Sequence, residues 1–129
     1  MTTYKPADYA SVSPYLLLED VQGVIDFLKA TFDAVPLRRV ERPDGSIIHA
    51  EVKIDDTVIM MAQSGNGIVP NESVIHVYVP DVDETYRRGL AAGAKPIQEP
   101  QKKDDADRRG GFQDLAGNAW WVATQIDPE

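Results

Sequence analysis

The sequence contains no cysteine. Disulfides, thiolate metal centres and cysteine nucleophiles are therefore excluded, and the absence suits a reducing cytoplasm, which is the expected compartment. No apolar run reaches the length of a signal peptide or a membrane span, so no membrane partner is expected. Positive charge is scarce: 13 Lys+Arg against 21 Asp+Glu leave a net charge of -8. Such a balance repels nucleic acid on average. The one basic cluster, Lys102, Lys103, Arg108 and Arg109, is interleaved with Asp104, Asp105 and Asp107, which largely cancel it.

What is present suffices for one domain. A chain of 129 residues with 43% hydrophobic content can bury a sizeable core but is short for two independent ones. Residues 1–12 carry Tyr4, Pro6 and Tyr9 without periodicity and read as an extended arm. Ser13 to Glu19 reads as a strand. Asp20 is an N-cap for a helix with apolar Val21, Val24, Ile25, Leu28 and Phe32 on one face, and Pro36 closes that region. Strands are expected at Leu37–Arg42, Ser46–Ile54 and Thr57–Gln63, divided by turns at Pro43-Asp44-Gly45 and Asp55-Asp56. In Ser46–Ile54 the pattern assigns Ile48, Ala50, Val52 and Ile54 to one face and His49, Glu51 and Lys53 to the other.

After the Gly/Asn/Pro connector Ser64–Asn71 the same order begins again. Ser73–Val79 is a strand, Asp81 an N-cap with Glu84 at the capping-box position, and Val82, Thr85, Tyr86, Gly89 and Leu90 form one helical face that Gly93 terminates. Three strands follow, near Pro96–Pro100, Arg109–Gln113 and Asn118–Gln125. The N-caps Asp20 and Asp81 are separated by nearly the same distance as the hairpin turns at Asp56 and Asn118, which indicates an internal duplication. The expected fold is α+β: two paired β-α-β-β-β modules forming a curved mixed sheet that encloses a cup, with helices outside. Whether one chain or a dimer encloses the cup stays open at this level.

The segments SPYLLLEDVQGVIDFLKATFDA (Ser13–Ala34), PDGSIIHAEVKIDD (Pro43–Asp56), IHVYVPDVDETYRRGLAAGA (Ile75–Ala94) and DRRGGFQDLAGNAWWVAT (Asp107–Thr124) resemble the vicinal oxygen chelate superfamily. That superfamily includes glyoxalase I, bleomycin-resistance proteins and extradiol dioxygenases, and the similarity is narrower to its PhnB-like group. Leu115 departs from that group, which usually has proline in an Asp-Pro-x-Gly-Asn turn. The resemblance implies a homodimer. Metal-dependent members take ligands from the first and fourth strands of each module; those places fall on Ser13, Ile59 or Met61, Val74 and Trp121, or one step along on Tyr15, Met61, His76 and Ala123. Neither set supplies the three protein ligands that a catalytic metal needs. No metal and no cofactor are therefore expected.

Strand parity places Ala119, Trp121, Ala123 and Gln125 toward the cup, and Trp120 and Val122 toward the helices. An indole between two alanines leaves room for a flat ligand. The expected ligand-binding residues are Trp121, Met61, His76, Tyr78, Tyr15, His49, Glu51, Gln63 and Gln125. Met60 is expected in the core. Glu51 with Lys53, and Asp107 with Arg108, read as surface ion pairs. No nucleophile–base pair is visible, so no catalytic residue is assigned. The function expected is metal-independent binding of a hydrophobic or aromatic small molecule, as drug-sequestering relatives perform. The alternative is a glyoxalase-like lyase, isomerase or dioxygenase whose atypical metal site includes His49, Glu51 and His76.

Overall fold

The computed structural model describes residues 4–127 and contains two copies of one module. The first runs β1 (Tyr15–Leu18), α1 (Val21–Phe32), β2 (Val35–Glu41), β3 (Ile47–Ile54) and β4 (Thr57–Gln63); the second runs β5 (Val74–Tyr78), α2 (Val82–Ala91), β6 (Lys95–Lys102), β7 (Asp107–Gln113) and β8 (Ala119–Gln125). Each module makes a four-stranded sheet, in the orders β1-β4-β3-β2 and β5-β8-β7-β6. The first strand pairs parallel to the fourth and the others antiparallel, so both sheets are mixed. Register shifts interrupt β2 against β3 and β6 against β7, at matching places in the two copies. Such bulges bend the outer strand and increase local twist.

The helices begin where the sequence places them. Asp20 Oδ1 accepts from the Gly23 N–H at 2.9 Å, and Asp81 Oδ1 from that of Glu84 at 3.2 Å. The capping box at Asp81 is half made, because the Glu84 carboxylate turns outward to Arg87 instead. α1 stops before Pro36: Asp33 adopts φ 56 and its N–H donates to Lys29 O at 3.1 Å, while Ala34 donates to Leu28 O at 3.4 Å. Pro36 itself lies in β2, an edge strand where a missing N–H is tolerated.

One core serves both modules. Leu16, Leu18, Val24, Leu28, Val52, Ile59 and Met61 of the first join Val82, Tyr86, Phe112, Trp120 and Val122 of the second. The aromatic contacts carry the join: Phe27 meets Phe112 edge-on at 5.9 Å between ring centroids, and Phe32 lies 5.4 Å from Trp120. Arg88 of α2 locks the helices together, donating from Nε to Ala30 O at 2.9 Å and from both terminal nitrogens to Asp33. α1 thus packs against the covered faces of both sheets. Among the described residues no helix covers the opposite face of either sheet, which leaves two open faces.

Two expectations about parity change. Ile48 is 43% exposed and Ile47 is buried instead, because the register shift between Val40 and Glu41 reverses the alternation at that end of β3. Met61 is fully buried in the shared core, opposite Leu16 and Ala50, and it is Met60 that faces the open side beside Tyr15 and Glu51. Met61 is therefore removed from the open-face residues.

Candidate functional site

The open face of the second sheet is centred on Trp121. Its parallel neighbour on β5 is His76 and its antiparallel neighbour on β7 is Gly111. A Cβ on Gly111 would sit 2.7 Å from the Trp121 ring, so the indole lies down over the glycine. Ala119 and Ala123 flank it on the same face of β8. Trp120 points the other way, buried, its Nε1–H donating to Asp114 Oδ2 at 2.9 Å. Asp114 also accepts from the N–H groups of Ala116 and Asn118, which closes the turn without the proline that Leu115 replaces.

A polar chain runs from beside the indole along the same face. Arg109 donates from Nε to His76 Nε2 at 3.1 Å, from Nη2 to Asp107 Oδ2 at 2.8 Å and from Nη1 to Asp105 Oδ2 at 2.8 Å. Tyr78 donates its hydroxyl to Asp107 Oδ2 at 2.7 Å and packs edge-on against the His76 ring at 4.8 Å. The hydrogen bond to Asp107 raises the Tyr78 pKa, with burial adding to it. Burial lowers that of His76, and the Arg109 charge lowers it further. Guanidinium offers only donors, so His76 Nε2 must hold a lone pair and Nδ1 carries the proton. The arrangement gives the indole a neighbouring neutral N–H donor. Beyond it, a cavity of about 320 Å³ is lined by Gln98, Gln101, Lys103, Asp104, Asp105, Asp107 and Arg109.

The first sheet's open face gathers Tyr15, His49 and Glu51. Tyr15 Oη lies 2.8 Å from His49 Nδ1, and His49 Nε2 lies 2.7 Å from Glu51 Oε2. The arm supplies what the sequence does not announce: Tyr9 donates its hydroxyl to Glu51 Oε1, and Arg38 stacks on the Tyr9 ring at 5.3 Å. Glu51 is 2% exposed, not a surface residue. Its burial alone would raise the pKa, but the hydrogen bonds from His49 and Tyr9 with the nearby charges outweigh that and hold it low. Lys53 turns instead to Asp8 O at 3.3 Å. The other expected ion pair also dissolves, since Arg108 bridges to Asp83 and Asp107 is taken by Arg109 and Tyr78.

Among the expected residues, then, Trp121, His76 and Tyr78 share one open face and Tyr15, His49 and Glu51 the other. Gln125 lies exposed at the end of β8, and Gln63 ends β4, where its Oε1 accepts from the Ile47 N–H at 3.1 Å. Sequence reasoning did not place Tyr9, Asp107 or Arg109 in either group. The paired glycines opposite two tryptophans were a usable signal for Gly111; the arm offered none for Tyr9.

The donor set does not fit a family metal centre. Tyr15, Val74, Trp121 and Ala123 are not ordinary ligands for zinc, iron or manganese. Met61 is locked in the core, and the one imidazole at an inherited position, His76, gives its Nε2 lone pair to a guanidinium. Among the described residues no group of three His, Cys, Asp or Glu could hold an ion. No described helix is long and apolar enough to cross a membrane.

Comparison with known proteins agrees with this architecture. An uncharacterized protein of Mycobacterium bovis is 34% identical over 127 residues, covering 90% of this chain and 84% of its own. The crystal structure of TioX from Micromonospora sp. ML1 is similar at 27% identity and a TM-score of 0.74, over 91% of this chain and 99% of that one. The fosfomycin resistance protein FosX of Listeria monocytogenes, solved with manganese(II) and sulfate, shares the fold at 16% identity and a TM-score of 0.69, over 89% of both chains. The model of the Glyoxalase/Bleomycin resistance protein/Dioxygenase superfamily matches residues 11–122, and the chain belongs to that superfamily.

Proposed function

We propose that the protein binds a hydrophobic or aromatic small molecule on the open face of its second sheet, sequestering a drug or metabolite without a metal. One observation carries this reading: Trp121 lies over Gly111 between two alanines, beside a histidine whose Nδ1 bears the proton because Nε2 accepts from Arg109. A flat ring can stack on the indole for about 0.5–1.5 kcal/mol beyond area burial. An acceptor on that ring, a carbonyl or ring nitrogen, would meet the His76 Nδ1–H. The net charge of -8 favours neutral or cationic ligands over anions.

A homodimer completes the reading. Each open face is half a cup, and Val35, Leu37, Val40, Val74 and Tyr78 stay exposed along edge strands. A second copy offering its first sheet would bring Tyr15 and His49 opposite Trp121 and His76. Sedimentation velocity reads the association state directly.

The ligand reading is tested with quinoline and naphthalene, isosteres that differ by one acceptor nitrogen, titrated by two-dimensional NMR. Quinoline is expected to bind more tightly, and Trp121→Ala to weaken both. Unchanged affinities in Trp121→Ala would remove the stacking site. The alternative, an enzyme whose atypical metal site joins His49, Glu51 and His76, draws on two different sheets and a committed imidazole. Elemental analysis after loading with zinc, iron(II), manganese and nickel separates the two, since stoichiometric retention would favour the enzyme.

A further inference from the structure

The open face of the first sheet carries a hydrogen-bonded chain that ligand stacking on the second sheet does not use. From the outside inward it reads Tyr15 hydroxyl, His49 imidazole and Glu51 carboxylate, at 2.8 Å and 2.7 Å. Tyr15 is 43% exposed and Glu51 2%. The chain therefore starts at solvent and ends in the protein. Tyr9 donates to the second carboxylate oxygen, which leaves Oε2 to face the imidazole.

Protonation follows from what each group can do. Glu51 is held ionised and only accepts hydrogen bonds, so its partner Nε2 bears a hydrogen. A neutral imidazole then has its lone pair on Nδ1, and the only hydrogen available in that contact is the phenolic one, so Tyr15 donates. Hydroxyl, imidazole and buried carboxylate in this order are the parts of an activated-nucleophile relay. Here a phenol stands at its outer end, and Tyr9 is a positioning residue for the carboxylate.

We propose that Tyr15, His49 and Glu51 form a proton relay that makes the Tyr15 hydroxyl a nucleophile toward small activated acyl compounds. The Tyr15 oxygen forms a bond to the acyl carbon as its proton passes to His49 Nδ1. The bond from that carbon to the leaving group breaks, and the leaving group departs with the electron pair as an anion. The imidazolium, balanced by Glu51, then returns its proton to water. The relay is read without any ligand at Trp121, so its failure and the failure of the ligand reading are distinguishable.

The protein supplies its own reference. Tyr4 is 87% exposed, more than Tyr15, and Tyr78 is 62% exposed but donates to Asp107. Exposure alone would make Tyr4 the most reactive. The full chain is treated with p-nitrophenyl acetate, and acetylation of each tyrosine is followed by peptide mass spectrometry. With the relay, Tyr15 is acetylated faster than Tyr4 by roughly 10²-fold, the low end of general-base assistance. His49→Gln then lowers the Tyr15 rate to that of Tyr4 and leaves Tyr4 unchanged. Acetylation of Tyr15 no faster than Tyr4 overturns the proposal, and so does an undiminished Tyr15 rate in His49→Gln. If that variant does not fold, the comparison of tyrosines within the unsubstituted protein decides alone.

Discussion

Arg109 donates its Nε–H to Nε2 of His76 across 3.1 Å. The two side chains are 33 positions apart in sequence and lie on β7 and β5, which flank β8. The contact admits a neutral imidazole and opposes an imidazolium, which would point a second N–H at the guanidinium.

That opposition predicts a pH effect with a definite sign. Burial, then Arg109, lowers the His76 pKa, partly offset by Asp107 and Asp105. An unfolded chain binds the proton more readily, at a pKa of about 6.5. The stabilising contribution is therefore complete above that pH and is lost as pH falls toward the lower folded value. Arg109→Met is expected to raise the His76 midpoint, read from its ring carbon-bound protons by NMR. A midpoint that does not move would show that the guanidinium does not control the ring.

Glu51 gives a dependence of the same sign, further to the acid side. Its folded pKa lies below the ordinary 4.5, with the hydrogen bonds from His49 and Tyr9 overcoming the cost of burial. Its contribution is present above that value and disappears as pH falls through the lower folded one. Glu51→Ala leaves both donors without their acceptor and is expected to cost about 3 kcal/mol, the upper range for hydrogen bonds to charged groups. Urea denaturation at neutral pH measures the loss, and the variant should show a flatter stability profile in acid. Tyr9→Phe should shift the same profile in the same direction.

Two glycines should resist enlargement for one reason. A Cβ at Gly89 would lie 2.8 Å from the Phe112 ring, and one at Gly111 would lie 2.7 Å from that of Trp121. Alanine in a helix interior usually gains up to about 1 kcal/mol over glycine. Overpacking typically costs about 1–3 kcal/mol, so Gly89→Ala is expected to destabilise despite its helical position. Gly111→Ala should act on the site instead, lifting the half-buried indole, red-shifting its emission and weakening quinoline binding.

Thr31 offers a change in the favourable direction. It is fully buried, and its Oγ1 is a buried side-chain oxygen without a hydrogen-bond partner among the described residues. Thr31→Val keeps the shape and removes the unsatisfied hydroxyl. Stability to urea is expected to rise by about 1 kcal/mol, the lower range for such a group. A loss would mean that the hydroxyl has an acceptor in solution.

Parity was readable only where one face of a strand is wet. In β8, Trp120 is buried and Trp121 half-buried, as alternation from the turn at Asp114 to Asn118 indicates. In β4 the reading failed, because Val58 and Ala62 on the open side are as buried as Ile59 and Met61 on the helix side. With both faces dry, apolar residues carry no alternation, so Met60 and Met61 could be exchanged. In β3 a register shift moved burial from Ile48 to Ile47, and no residue there signals it.

The sequence by itself determined the two β-α-β-β-β modules, their caps at Asp20 and Asp81, the turn at Asp114 and the outward Trp121. Caps, turns and periodicity act over a few residues, so they survive in one dimension. Tertiary structure alone decided that α1 packs against both sheets, that Arg109 claims the His76 lone pair, and that Tyr9 reaches 42 residues along the chain to hold Glu51. Those choices rest on which distant donor meets which buried acceptor once the core has closed, and local sequence carries no term for that meeting.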